Sequence, residues 1–137
     1  MVVLSLIVSF LFSHSSHDSR AFESYLKQNQ LPVEEHQVYI VISGNTCVAC
    51  SNTTRATLMR YSSCSNLVVI TGDRMVKEDL EGKAVSVLFD EAFDFDYLPY
   101  NFTYTSIVKI EGEKLELESF GVLDGDRFER QVSHYCE

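Results

Sequence analysis

Val38-Tyr39-Ile40-Val41-Ile42-Ser43-Gly44-Asn45-Thr46-Cys47-Val48-Ala49-Cys50 is the stretch that decides how this chain folds. Its first five residues are β-branched or aromatic, the composition of a strand buried on both faces. Ser43 to Thr46 are turn residues. From Val48 to Tyr61 there is neither glycine nor proline, so a helix can form there. The cysteine pair therefore stands in the first turn of a helix that follows a core strand. Amide groups and the macrodipole stabilise a thiolate at that place. The same spacing also serves a structural disulfide or half of a metal site.

Working outward, the chain reads as one α/β domain. Ser19 is expected to cap a short helix from Arg20 to about Gln28 that presents Phe22, Tyr25 and Leu26 on one face, with Leu31-Pro32 as its breaker. After the cysteine helix, Asn66 to Thr71 reads as a second buried strand. Met75 to Leu80 suits a brief helix stopped by Gly82, and Ala84 to Phe89 a third strand. Asp90 to Tyr100 is acidic and aromatic, an irregular connection or short helix. Thr105–Ile110 and Lys114–Ser119 flank Glu111-Gly112-Glu113, a hairpin signal. Asp124-Gly125-Asp126 opens a final helix from Arg127 to about Tyr135. Continuous apolar strands joined by helices predict parallel pairing, to which the hairpin adds antiparallel strands.

Composition bounds the function. The 137 residues carry a formal net charge of −9, with eleven scattered Lys and Arg. No basic patch exists for phosphate, which argues against nucleic acid as a partner. Val2 to Phe12 is almost wholly apolar and then turns polar at Ser13-His14-Ser15-Ser16-His17-Asp18. That run is too short to span a bilayer, which takes about 20 residues. It suits the apolar region of a secretory signal, although a basic start is missing. Export agrees with the cysteine pair, because disulfide exchange is mostly an extracytosolic need.

The element order, with the pair at the first strand-to-helix junction, resembles the thioredoxin-like fold over roughly Val38 to Tyr135. The carrying residues are the strand VYIVIS, the motif Thr46-Cys47-Val48-Ala49-Cys50, and Ser106 to Lys114, which is similar to the family's fourth strand and hairpin turn. The likeness is to bacterial extracytoplasmic, often membrane-anchored, thiol–disulfide oxidoreductase-like proteins. It implies a central mixed β-sheet with flanking helices and a C-terminal β-hairpin plus helix. It divides the chain into 1–16, a signal peptide or membrane anchor, and 17–137, the domain. It places the protein in the periplasm or tethered to the membrane on its outer side, as a monomer.

The resemblance further implies an oxidoreductase without cofactor or metal, acting on protein thiols or disulfides. Cys47 becomes the attacking thiolate and Cys50 the resolving thiol. Thr46 stands where the family usually has an aromatic residue. The family's cis-proline position falls at Tyr104 or Thr105, where a trans bond is expected. Thr46, Tyr104 and Thr105 are then the candidate substrate contacts. A thioredoxin-like binding domain braced by a structural disulfide is one alternative. Soft-metal binding is another, since Gly44 to Cys50 is similar to the loop of heavy-metal-associated domains, where paired thiolates hold Cu(I).

Other motifs are weaker. Cys64 reads as an ordinary buried thiol before a core strand. Cys136 reads as part of a frayed terminus, with pairing to Cys64 or another chain open in an exported protein. His14 and His17 fall in a stretch expected to be cleaved or disordered, and the four histidines share no ligand spacing. The acids from Asp90 to Asp96 lack the pattern of a calcium loop. Phe93, Phe95, Tyr97 and Tyr100 are expected to pack on the core or to cover the site's edge. Asn52-Thr53-Thr54 and Asn101-Phe102-Thr103 match glycosylation acceptors.

Overall fold

In a computed structural model, residues 14–31 and 33–137 are described. The apolar run Val2–Phe12 and the breaker Pro32 lie outside them. The elements are β1 (His14–Asp18), α1 (Arg20–Gln28), β2 (Val38–Ile42), α2 (Val48–Arg60), β3 (Leu67–Thr71), α3 (Arg74–Leu80) and β4 (Ser86–Phe89). A 3₁₀ turn at Asp94–Tyr97 follows, then β5 (Thr105–Glu111), β6 (Lys114–Phe120), a second 3₁₀ turn at Val122–Asp124, and α4 (Gly125–Cys136). The six strands form one mixed sheet in the order β1-β6-β5-β2-β3-β4.

The register follows from composition. β2, β3 and β4 are parallel, Ile40 lying opposite Val69 and Ile70 opposite Leu88. β5 pairs antiparallel with β2, and β6 antiparallel with β5. β2 and β3 are buried at every position, so they need helices over both faces. Alternation splits them between two cores. Tyr39, Val41, Val68 and Ile70 face Phe22, Tyr25, Leu26, Phe95 and Tyr100. Val38, Ile40, Ile42, Leu67 and Val69 face Leu58, Val76, Leu80, Phe128 and Val132. Right-handed crossovers advancing along β2-β3-β4 leave α2 and α3 on one face. α4 joins them there, while α1 and the aromatic connection cover the other.

Three expectations change. The polar stretch His14–Asp18, whose two histidines are expected in a cleaved or disordered segment, forms β1 and pairs with β6 from His14↔Glu118 to Asp18↔Lys114. Its burial alternates, and the His17 ring meets Tyr100 edge-on. Polar alternation suits an edge strand, whose outer face stays wet. Ser19 does not cap α1 with its side chain: it takes helical dihedrals, is fully buried, and leaves its hydroxyl without a partner. Asp18 does the capping work, its Oδ1 accepting from Arg20 N at 2.9 Å. Finally, Cys136 is no frayed tail; it ends α4 and is disulfide-bonded to Cys64, 72 residues away, at a Cα separation of 5.5 Å. None of the described helices is long and apolar enough to cross a membrane.

Candidate functional site

The three parallel strands all point their C-terminal ends the same way, and the loops that leave them share one end of the molecule. In α/β sheets this is the end where side chains are free to act on ligands. Ser43–Thr46 leaves β2, Gly72–Asp73 leaves β3, and Asp90–Tyr100 leaves β4. The cysteine pair sits in the first of these loops.

Cys47 is the N-cap of α2, with extended backbone (φ −70°, ψ 158°). Its Sγ accepts the Cys50 amide at 3.2 Å, one of the helix's otherwise unpaired donors. Cys47 is half-buried, Val48 and Ala49 are exposed, and Cys50 is 5% exposed. The two are disulfide-bonded with Cα atoms 5.2 Å apart. One cysteine is thus partly open to a partner while the other is shielded. The asymmetry follows from helix geometry, since position N3 turns back toward the sheet whereas the N-cap faces the helix end.

The loop carrying Cys47 is held from two sides. On one, the Tyr104 carbonyl accepts both the Ser43 amide and the Thr46 hydroxyl, each at 2.8 Å. Tyr104 reaches this pose with left-handed backbone (φ 57°), which costs a non-glycine residue about 1 kcal/mol. All peptide bonds among the described residues are trans. On the other side, Asp96 Oδ2 accepts the Gly44 amide at 2.9 Å, while Asp96 Oδ1 is buried without a partner.

Phe93, also left-handed (φ 54°), lays its ring across the bare backbone of two glycines. A Cβ on Gly44 would come within 3.1 Å of that ring, and one on Gly72 within 2.5 Å. Glycine is required at position 72 because the ring and the Asp90 carbonyl leave no room for a side chain.

Beneath the pair, α2 is pinned to β5 through a buried hydroxyl pair, Thr54 Oγ1 to Thr105 Oγ1 at 2.9 Å. Beside Cys50 lies a shallow depression lined by Thr53, Phe120, Gly121, Val122 and Asp124. A Cβ on Gly125 would come within 2.9 Å of the Thr53 methyl, so the start of α4 abuts the middle of α2.

Of the residues singled out from sequence, Thr46, Cys47, Cys50 and Tyr104 meet at this end. Thr105 is there as well, but it is 2% exposed and its hydroxyl is engaged by Thr54. Among the loop aromatics, Phe95 and Tyr100 are core, Phe93 covers the two glycines, and Tyr97 is exposed. Asp96, Val122 and Asp124 were not foreseen. Their contacts span tens of residues, and only glycine at the ends of β2 and β3 hinted that something would approach closely.

Burial, and next the Asp90 carboxylate that its hydroxyl meets at 2.8 Å, push the Tyr25 pKa up; Asp94 and Asp96 add to the rise. These three acids therefore share one neighbourhood. Among the described residues, no group of three or more Cys, His, Asp or Glu side chains gathers as a metal would need. Compared with protein-family models, with curated proteins and with solved structures, the chain matches none.

Proposed function

We propose that this protein is a thioredoxin-like domain that exchanges thiols and disulfides with protein substrates through Cys47 and Cys50. The observation that carries the reading is the asymmetry of the pair: a helix-capping, half-exposed Cys47 beside a shielded Cys50. The sheet arrangement supports it too, with the cysteine helix leaving the central strand β2 and the β5–β6 hairpin alongside.

In the reducing direction, the Cys47 thiolate attacks one sulfur of a substrate disulfide. An S–S bond forms to Cys47 and a substrate thiolate leaves. Cys50 loses its proton and attacks Cys47 Sγ, releasing the second substrate thiolate. The pair is oxidised by two electrons and the substrate reduced by two, the departing thiolates taking up protons. Oxidation of a substrate dithiol runs the same steps backwards. Amides of the first α2 turn, one of which already reaches Cys47 Sγ, favour the attacking thiolate. The expected setting is an oxidising compartment, with which two disulfides in one small domain agree.

Insulin reduction by the dithiol protein tests the proposal. Activity should vanish in Cys47→Ser, and Cys50→Ser should accumulate a mixed disulfide with Cys47 on thiol trapping. An inert Cys47, with function intact in Cys47→Ser, would sink it in favour of a structural brace. Tight 1:1 Cu(I) binding without insulin reduction would point to metal carriage instead.

A further inference from the structure

We infer that the disulfide end docks a segment of a partner protein whose cysteine is flanked by lysine or arginine and an apolar residue. This inference rests on the exchange reading above and names its substrate class.

The first observation is where apolar surface is left open. Of the seven large apolar side chains exposed among the described residues, four lie around the pair: Val48 (79%), Tyr104 (38%), Val122 (58%) and Leu123 (96%). Contacts place them together. Val48 is in the Cys47–Cys50 turn itself. Tyr104 is tied to Thr46 through its carbonyl, and its ring lies 3.9 Å from where a Gly121 Cβ would be. Val122 shares the depression beside Cys50, and Leu123 is its neighbour. Exposed apolar side chains gathered around one half-exposed cysteine are a surface for another chain to cover.

The second observation is charge, and it selects the partner. The opposite rim carries Asp94 and Asp96 on the turn that holds Gly44, and Asp73 on the loop beside Ser51. The arginines nearest this end are already engaged. Arg127 pairs with Glu118 and Asp124, Arg55 with Asp79, and Arg74 with Glu91. Arg55 also feels the charge of Asp73, but none of them pairs with Asp94 or Asp96, and the whole chain carries −9. A cationic segment is drawn to such an end and an anionic one repelled, with the effect falling off over the screening length of salt.

Three short peptides test this, each with leucine beside its cysteine, flanked by lysine, serine or glutamate, and presented as its disulfide to the reduced full-length protein. The lysine peptide should react on the order of ten times faster than the glutamate peptide at low ionic strength. Dithiothreitol, assayed with the same peptides, gives the ratio intrinsic to the peptides. The protein's ratio should exceed it, converge on it as salt rises toward about 0.5 M, and shrink in Asp73→Asn/Asp94→Asn. A protein ratio no greater than that of dithiothreitol, while the serine peptide still reacts, overturns the inference and leaves thiol exchange standing. Failure of all three peptides, with Cys47 inert to trapping, overturns both.

Discussion

At the scale of single residues, polar groups placed against the sheet do more than decorate loops. Tyr25 is the clearest case. Its ring is in the core, and its hydroxyl donates to Asp90, which also accepts the Phe95 amide at 3.3 Å. Burial and that carboxylate raise its pKa, and burial raises those of Tyr39, Tyr100 and Tyr135 as well. A tyrosine with a raised folded pKa contributes stability that is complete below its unfolded pKa, about 10. Above that pH the unfolded chain sheds the proton while the folded one keeps it, so stability falls as pH rises. Urea unfolding should therefore show a steep loss of stability above about pH 10, and Tyr25→Phe should flatten it. The same variant at neutral pH should cost roughly 1.5–3 kcal/mol, since a hydrogen bond to a charged group is removed. An unchanged alkaline slope would show that Tyr25 is not the responsible group.

At the scale of elements, the cysteine helix owes little to its own amphipathicity. Its buried side chains are Cys50, Thr54, Thr57 and Leu58, two of them threonines. Its seat on the sheet depends instead on the Thr54–Thr105 hydroxyl pair and on side-chain links to neighbouring helices. Arg55 reaches Asp79 on α3, and Arg60 reaches Glu129 on α4. Thr54→Val strands the buried Thr105 hydroxyl and should destabilise by about 1–3 kcal/mol. Adding Thr105→Val removes the stranded group and should restore part of that loss. A double-mutant cycle with no coupling would refute this account of how α2 is held.

At the scale of the molecule, α4 starts against Thr53 midway along α2, and its last residue, Cys136, is bolted to Cys64 in the loop that follows α2. Asn66 adds a hydrogen bond to the Tyr135 carbonyl at 3.2 Å. A crosslink over 72 residues restrains the unfolded chain by about 4 kcal/mol on the loop-entropy account. The Cys64→Ser/Cys136→Ser variant should lose most of that in urea unfolding while still reducing insulin, because the crosslink lies away from Cys47. Loss of exchange without loss of stability would assign the second pair a chemical role instead.

Much of this was legible in the residues themselves. The β-branched runs at Val38–Ile42 and Leu67–Thr71 become fully buried strands, and Glu111-Gly112-Glu113 becomes a hairpin turn with Gly112 at φ 61°. Both are local matters of side-chain shape and backbone freedom. The parallel pairing of β2, β3 and β4 also follows, from apolar strands joined by helices. Tertiary structure decided the rest. His14–Asp18 has no apolar run to announce a strand and is one only because β6 offers an open edge. Cys136 finds Cys64 only because α4 is laid along α2. The sequence by itself determined a cysteine pair capping a helix behind a core strand. Only the packed chain decided what surrounds that pair, because Asp96, Tyr104 and Val122 are brought to it by contacts across tens of residues that no local pattern encodes.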